Sequence, residues 1–360
     1  GYEDLNDHDT LRHDPLLALL SDKQDLSGKT RKRDQDKGCA LAGKSTLNRL
    51  ELTPLDASSA NRYKKIVADP EAMDDLLVDL FLEAYDTPPE EIILDVDATD
   101  DPLHGHQVGR FFHGYYRSYC YLPLYIFCGE HLLCARLRTA DQDGAAGTVD
   151  ELKRIVARIR LSWPRTRIIV RGDSGVCRDN LMSWCETEHV DYVLGLAKNN
   201  RLKAAIRSEM AEAEQHYETT RQAARVFKDF RYRTLKSWSC ERRVIAKAEH
   251  LAKGPNPRFV VTSLSSEKWP MRALYEELYC ARGDMENRIK EQQLALFADR
   301  TSSHAMASNQ LRLYFSSFAY VLIQTLRRLG LNGTAMARAQ CNTIRLKLFK
   351  IGAHIRFSVR

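Results

Sequence analysis

The order of apolar strand and helix patterns between residues 91 and 264 limits the fold more than any other feature of the sequence. Three strand patterns come first, EIILDVDAT, RSYCYLPLYIFCG and EHLLCARLRTA, and a Gly-Glu turn joins the last two as a hairpin. An amphipathic helix (TVDELKRIVARIRLSW), a strand (TRIIVRGDSG), a helix (RDNLMSWCETEH) and a strand (VDYVLGLAKN) follow. The order βββαβαβ predicts a mixed α/β sheet that starts with an antiparallel meander.

This order is the RNase H-like arrangement, and it divides the chain into four predicted parts. Residues 1–86 are expected to form a helical N-terminal region, which TPPEE at residues 87–91 terminates. Residues 87–198 are the first part of the core. Residues 199–254, with thirteen Lys/Arg and seven Asp/Glu, are predicted to be a basic, largely β inserted subdomain. Residues 255–360 complete the core with a long helix and end in a basic helical region.

Residues Gly38–Thr46 (GCALAGKST) fit the pattern of the phosphate-binding loop of nucleotide hydrolases. That loop follows a buried strand, whereas the preceding KTRKRDQDK is charged throughout. We therefore interpret the segment as a loop leading into a helix that begins near Ser45, with Ser45 or Thr46 as its N-cap. An ATPase would instead require a strand, loop and helix within residues 31–50.

The distribution of charge and cysteine narrows the partners and the compartment. The net charge is +6, and the last sixty residues contain nine Lys/Arg and no Asp/Glu, which favours a polyanionic partner such as nucleic acid. The nine cysteines form no C-x-x-C pair, which predicts a reducing cytoplasm. The longest apolar stretch, residues 313–326, is too short to span a bilayer.

Two apolar strands end in aspartates. In ILDVD, Asp95 and Asp97 share one face because successive strand side chains alternate, and in IIVRGDSG the residue after the strand is Asp173. Ligands of open α/β sheets collect outside the carboxyl ends of the strands. We therefore expect a site for a hard cation at this edge.

The long C-terminal helix supplies a third carboxylate. Tyr279, Arg282, Glu286, Lys290 and Gln293 are spaced to lie along one stripe of a helix. Such a stripe alone is most often a solvated face. Next to two strand-end aspartates it predicts a metal-binding glutamate, with the cationic neighbours holding phosphates. The set suits phosphoryl transfer with two Mg²⁺ (or Mn²⁺) ions.

The motifs around these residues resemble those of the DDE transposases of bacterial insertion sequences, in particular the thirteen-eighty group, whose signature is Y-x2-R-x3-E-x6-K. The resemblance extends from about Gly43 to the end of the chain. It rests on LAGKSTLNRLE, LDVDATDDPLHG, GRFFHGYYRSYCYLPLYIFCG, RGDSG, YCARGDMENRIKEQQLALFADRTS and TIRLKLFKIGAHI. It implies cleavage at transposon ends and transfer of the freed 3′-hydroxyl to target DNA, without ATP.

Carried over residue by residue, the resemblance implies that Asp97, Asp173 and Glu286 are the catalytic, metal-binding carboxylates. Asp97 is placed first because Ala98-Thr99 completes the D-x-T pattern. Asp95, on the same face, remains an alternative.

The same comparison assigns DNA contacts. Tyr279 and Arg282 match the first two signature positions and are expected to hold the DNA backbone near the cleaved end. The final Lys of the signature falls on Gln293, and Lys290 one turn earlier is the expected substitute. Lys198, after a strand near the predicted site, is a further candidate for a phosphate contact.

The resemblance also implies partners and location. Double-stranded DNA, as transposon ends and target, is the expected partner, together with a homodimer in the DNA complex, no membrane and a nucleoid-associated place in a bacterial cytoplasm. A catalytically inactive, transposase-derived DNA-binding protein is the alternative. The presence of all three carboxylates favours the enzyme, and the route of second-strand cleavage stays open.

Aromatic and histidine residues have two interpretations each. Trp238 and Trp269, in or beside the insertion, are candidates for stacking on a flipped base, and burial in a core is the commoner role. His104, His106 and His113 are candidates for a metal site, although histidines are also ordinary in a loop between strands.

Overall fold

The computed structural model describes residues 5–61 and 66–352. Residues 1–4, 62–65 and 353–360 lie outside it. Parts of the predicted N-terminal region (1–86) and C-terminal region (255–360) therefore lie outside the described residues, as do the last three residues of the TIRLKLFKIGAHI motif.

The described chain contains two β-sheets. Their strands are β1 (Glu91–Ala98), β2 (Asp101–Pro102), β3 (Phe111–His113), β4 (Ser118–Tyr121), β5 (Leu124–Cys128), β6 (His131–Arg136), β7 (Arg167–Gly172), β8 (Asp191–Leu196), β9 (Ala224–Tyr232), β10 (Arg242–Leu251), β11 (Gly254–Pro255) and β12 (Arg258–Thr262). The large sheet has the order β11-β10-β12-β8-β7-β1-β5-β6, and β9 also pairs with β10.

The five strands β6-β5-β1-β7-β8 have the predicted RNase H-like arrangement. β1 runs parallel to β7, and β7 runs parallel to β8. β5 runs antiparallel to both β1 and β6, which makes the expected meander. The predicted fold class, an RNase H-like mixed sheet with flanking helices, is confirmed.

The helices differ in type as well as in length. The α-helices are α1 (His8–Leu11), α2 (Pro15–Leu20), α3 (Lys44–Glu51), α4 (Pro70–Leu82), α5 (Thr148–Ser162), α6 (Asp179–Thr187), α7 (Asn200–Ala205), α8 (Arg207–Thr220), α9 (Met271–Ala273), α10 (Gly283–Lys290), α11 (Met306–Thr325) and α12 (Cys341–Ile344). Shorter 3₁₀ turns are Leu5–Asp7, Asp34–Asp36 and Cys280–Arg282, and π-helical stretches are Leu274–Tyr279, Glu291–Ala295, Leu326–Gly330 and Arg345–Phe349.

Residues 271–295 form one helical rod, here called the Glu286 helix, that passes through α, π, 3₁₀, α and π geometry in turn. None of the described helices combines the length and apolarity needed to cross a membrane.

Hydrophobic residues cover both faces of the large sheet. On one face, Leu94 and Val96 of β1 belong to the same buried cluster as Leu152 and Ile155 of α5. On the other face, Ile169 of β7 and Val193 of β8 pack with the first turns of the Glu286 helix, while its later turns pack with α11 over β5 and β6. Because β1 alternates, Ile93, Asp95 and Asp97 point towards the Glu286 helix.

Helix α4 belongs to this core, although the predicted N-terminal region includes it. Val78 and Phe81 of α4 are fully buried in the cluster that contains β1 and α5. Asp75 and Asp79 add ion pairs to Arg154 and Arg158 of α5. The predicted boundary at residues 86–87 therefore separates two elements that share one hydrophobic core.

The segment 199–254, predicted to be an inserted, largely β subdomain, extends the large sheet of the core. β10 pairs antiparallel with β12, and β12 pairs antiparallel with β8 of the core. The segment does contain a β-hairpin, β9 with β10, preceded by α7 and α8. Buried Val244 and Ala246 join its strands to the main core.

A small sheet of three strands, in the order β2-β4-β3, was not predicted. The pattern RSYCYLPLYIFCG suggested one strand, but the chain leaves the small sheet at Tyr121 and enters the large sheet at Leu124. Pro123 lies at this break, and a proline has no N–H for a continuous ladder.

The Gly38–Thr46 segment has no phosphate-loop geometry. Within residues 31–50, all of which are described, there is a 3₁₀ turn and the helix α3 but no strand. The helix begins at Lys44, next to the predicted start near Ser45, but its N-cap residue is Gly43 and not Ser45 or Thr46 as predicted. Lys44 forms an ion pair with Asp9 at 2.7 Å, so its ammonium group already has a carboxylate partner.

The free edge of β6 is covered by a side chain from α11. The Gln310 amide accepts a hydrogen bond from the Leu137 N–H (2.6 Å) and donates one to the Ala135 carbonyl (3.0 Å). A single glutamine thus supplies both hydrogen bonds that a neighbouring strand would provide at this point.

A buried ion pair joins β1, β7 and the Glu286 helix. Arg171 donates from Nε and Nη2 to the two carboxylate oxygens of Asp95, at 2.5 and 2.7 Å, and from Nη1 to the carbonyl of Leu278 at 2.5 Å. Both residues are less than a tenth exposed. Asp95 is therefore fully engaged with Arg171.

We expect Arg171→Met to lower the free energy of unfolding by about 3–5 kcal/mol, because it leaves the Asp95 carboxylate buried without a counter-ion. The control is the double variant Asp95→Leu with Arg171→Met, which removes both charges and should regain much of the loss. Guanidinium unfolding monitored by circular dichroism measures both. A double variant as unstable as Arg171→Met would show that the ion pair is not the source of the effect.

Candidate active site

The ends of β1 and β7 bring two predicted site residues together. The strands are parallel neighbours with Val96 opposite Gly172, so Asp97 and Asp173 follow at adjacent positions. Glu286 reaches the same place from α10. All three carboxylates line one cleft of about 750 Å³. The structure thus places on one surface the three residues that the sequence singled out from three separate elements.

Arg282 joins two of the carboxylates. Its Nη1 lies 3.3 Å from Asp97 Oδ2, and its Nη2 lies 2.7 Å from Glu286 Oε1. The Arg282 side chain is only 17% exposed, so its charge is poorly solvated and needs these partners. The guanidinium thus bridges Asp97 and Glu286.

The electrostatic surroundings of Asp97 are unusual for a carboxylate. Burial raises its pKa to about 6, and the nearby charges of Asp173 and Glu286 raise it as well. Arg282 and the hydrogen bond from the Ala98 N–H act in the opposite direction. The ionised form of Asp97 is therefore disfavoured mainly by its burial, a cost that a bound cation would reduce.

The Asp173 turn is held from two sides. The Gly175 N–H donates to Asp173 Oδ1 at 2.7 Å. Behind the turn, the Tyr279 hydroxyl occupies a notch at Gly195, where an added Cβ would lie 2.5 Å from the Tyr279 Oη and 3.0 Å from the Ser174 nitrogen. Gly195 is thus required for this close approach.

Tyr279 and Lys198 lie away from the cleft surface. Tyr279 packs behind Asp173 and is not among the residues that line the cleft, so the geometry supports a role in holding the turn, while its contact with DNA stays a prediction. Lys198 lines a separate depression together with Lys203 and Arg207.

The remaining stripe residues line the cleft. Lys290 is exposed there, whereas the Gln293 amide donates to the carbonyl of Asp100 at 3.1 Å.

Of the three loop histidines, His113 lines the cleft and His104 and His106 do not.

Within residues 5–61 and 66–352, no three His, Cys, Asp or Glu side chains are close enough together to form a preformed metal site. This holds for the three histidines and also for the carboxylates around Arg282. The donor type nevertheless suits a hard divalent cation, because the carboxylate oxygens of Asp97, Asp173 and Glu286 line one cleft, although the three side chains would have to move closer together to share an ion.

The two tryptophans are not exposed near the cleft. Trp238 is 5% exposed and packs edge-to-face with Tyr232, so it is a core residue and cannot stack on a base. Trp269 is half-buried against the cluster beneath the first turns of the Glu286 helix. The aromatic residues that do line the cleft are Tyr115 and Tyr116, which sequence reasoning missed although FFHGYYRSY is unusually rich in aromatic residues.

Comparison with known proteins identifies a family and weak similarity to solved structures. The family model described as "Transposase DDE domain group 1" matches residues 1–360. Among solved structures, Mos1 transposase in a paired-end complex with the left transposon end is similar at 13% sequence identity and a TM-score of 0.21, over 50% of this chain and 58% of that chain. The chain therefore spans less than two thirds of the length of that structure. No curated protein matches.

We expect Asp97→Asn to make the fold more stable at neutral and alkaline pH. The pKa of Asp97 is about 6 in the folded protein against 3.8 when free, so the ionised carboxylate reduces stability progressively as the pH rises through this interval. Asparagine removes that cost, and urea unfolding near pH 8 should show a gain of up to about 3 kcal/mol. The gain should vanish below about pH 4, where the carboxyl is protonated in both states.

Asp143→Asn is the control with the opposite sign. Partial burial raises the pKa of Asp143, whereas the hydrogen bond from the Ala145 N–H and the nearby Arg178 together lower it by more. The pKa of Asp143 therefore lies below the usual value for an aspartate. This variant should lose stability at pH 8 and regain it in acid. If Asp97→Asn were as stable as the unsubstituted protein at both pH values, the pKa of Asp97 would not be raised in the folded protein.

Proposed function

Because the chain belongs to the transposase DDE domain family, we propose that it is an active DNA transposase, which cuts strands at transposon ends and joins the freed 3′-hydroxyl to target DNA. The observation that carries this proposal is the cleft itself. Asp97, Asp173 and Glu286 come from β1, the turn after β7 and α10, and all three line it.

We propose Asp97, Asp173 and Glu286 as the ligands of two Mg²⁺ or Mn²⁺ ions, which when bound would activate the attacking oxygen and stabilise the leaving oxygen. Asp97 is favoured over Asp95 because Asp95 is held by Arg171 away from the cleft surface, while Asp97 lines it. The Gly175 N–H bond and the Tyr279 packing hold Asp173 in place.

The cations of the cleft are suited to the DNA backbone. A guanidinium binds a phosphate as well as a carboxylate, so Arg282 can exchange Asp97 and Glu286 for a phosphate oxygen when DNA enters. Lys290 is exposed at the same wall and adds a second positive charge. Gln293, tied to the Asp100 carbonyl, is left with a positioning role in this proposal.

Double-stranded DNA is the proposed partner, as transposon end and as target. Outside the cleft, Lys198, Lys203 and Arg207 surround a depression next to the sheet extension, which gives a second basic surface for the duplex. The N-terminal region is proposed to recognise or pair DNA ends, with two protomers in the working complex. Membership of the thirteen-eighty group remains a prediction.

The alternative is a catalytically inactive DNA-binding descendant of such an enzyme. Loss of catalysis usually follows loss of a metal-binding carboxylate, and here all three line the cleft. An ATPase is excluded as an alternative, because residues 31–50 lack the strand that a phosphate loop requires.

We expect the protein to nick a plasmid that carries both ends of its element when Mg²⁺ is present and nucleotide is absent. Asp173→Asn should abolish nicking while duplex binding persists, because it removes a proposed metal ligand and leaves the basic surfaces intact. Asp143→Asn changes a neighbouring exposed carboxylate and should keep activity. Nicking by Asp173→Asn would refute the site, and binding without nicking by the unsubstituted protein would support the inactive alternative.

We expect Lys290→Ala to weaken binding of duplex DNA and to reduce the slope of log K against log salt by about one, because one phosphate contact is lost. Lys153→Ala is the matched control, since Lys153 is exposed on α5, which covers the opposite face of the sheet. Fluorescence anisotropy at several salt concentrations measures the slope. If Lys290→Ala and Lys153→Ala had the same slope of log K against log salt, Lys290 would not contact the DNA.

A further inference from the structure

The hairpin of β3 and β4, residues 111–121, exposes aromatic side chains beside the cleft. Tyr115 at its turn is 83% exposed, Phe112 is 57% exposed and Tyr119 is 46% exposed. Large aromatic rings normally contribute to a core or an interface, so a group of them left in water marks a contact surface. We call residues 111–121 the aromatic hairpin.

The turn of the aromatic hairpin belongs to the catalytic cleft. Tyr115 and Tyr116 line it together with Asp97 and Asp173. The Tyr116 hydroxyl lies 3.5 Å from the carbonyl of Ala98, the residue after Asp97, and donates to it. A ligand that contacts Tyr115 is therefore next to the proposed site of cleavage.

The turn has a defined shape that directs Tyr115 outwards. The Arg117 N–H donates to the His113 carbonyl at 2.8 Å and closes the turn. Arg117 has a φ of 54°, in the left-handed region that costs a non-glycine residue roughly 1–2 kcal/mol. The Tyr115 ring also lies edge-on against Tyr116, which limits its rotation. The exposed ring is thus preorganised.

The charge around the aromatic hairpin suits an anion. The stretch from residue 102 to residue 123 contains two arginines and three histidines and no Asp or Glu. The Arg110 guanidinium lies 4.5 Å from the centre of the Tyr119 ring. Exposed rings interleaved with arginines are the features with which proteins bind single-stranded nucleic acid.

We propose that the aromatic hairpin is a base-stacking site, on which the Tyr115 ring stacks against an unpaired nucleotide adjoining the phosphate in the cleft. The proposal rests on the proposed function, because cleavage leaves a strand end beside the cleft, and the terminal base at such an end can unpair and leave the stack. An unpaired base is favoured over a duplex, since the bases of a duplex are already stacked on each other and offer no free face to a tyrosine ring. Trp238, one of the two tryptophans that the sequence offered as candidates for this role, is buried.

The test uses the full chain and a DNA duplex with a short single-stranded extension that carries 2-aminopurine, whose fluorescence falls on stacking. The variants are Tyr115→Ala, Tyr115→Phe and Asp173→Asn, with Phe315→Ala as the matched control. Phe315 is a 49% exposed aromatic residue on α11 that does not line the cleft. A blunt duplex of the same sequence measures general DNA affinity.

We expect quenching by the unsubstituted protein, Tyr115→Phe, Phe315→Ala and Asp173→Asn, and none by Tyr115→Ala. Tyr115→Ala should bind the extended DNA about tenfold or more weakly and the blunt duplex unchanged, because one stacking contact is lost. Its thermal unfolding should be unaltered, since the side chain is almost fully exposed.

Quenching by Tyr115→Ala equal to that of the unsubstituted protein would overturn the proposal. So would an equal loss of affinity for extended and blunt DNA, which would indicate a general contact with duplex. The quenching result can be told apart from the result of the nicking experiment. Nicking that survives Asp173→Asn would refute the proposed active site, while the quenching by Tyr115→Phe and Tyr115→Ala would still decide whether the ring stacks on a base.

Discussion

The buried pair of Asp95 and Arg171 determines how the Glu286 helix lies on the sheet. It connects β1 and β7 to the Leu278 carbonyl, two turns before Glu286, so one guanidinium ties the helix to both aspartate-bearing strands. The pair also separates the roles of two neighbouring carboxylates. Asp95 is neutralised inside the protein, and Asp97, two residues later on the same face, is left facing the cleft.

Much of this arrangement follows from local patterns in the sequence. The succession of strands and helices, and the aspartates at the ends of β1 and β7, depend on side-chain alternation and turn chemistry that a few residues encode. Helical spacing places Glu286 on the same stripe as Tyr279 and Arg282, and the strand-end aspartates were the reason to expect that stripe beside them. These are contacts whose partners lie on recognisable elements.

Other features depend on tertiary contacts that no short pattern contains. The pairing of β10 with β12 turned a predicted subdomain into an extension of the core sheet. Pro123 divided one apparent strand between two sheets, and the aromatic hairpin beside it had no alternating core face to reveal it. The bridge from Arg282 to Asp97 and Glu286 was equally hidden, because helical spacing shows that Arg282 is near Glu286 and says nothing about β1.

The Gln310 contact has a consequence for how two copies of this chain can associate. Exposed edge strands are the usual means by which two sheets merge into a continuous one across a subunit boundary. At β6 the amide of Gln310 already saturates the backbone of residues 135 and 137. A strand added at this point would therefore have to displace the Gln310 amide first, so this part of the β6 edge is protected against sheet-to-sheet association.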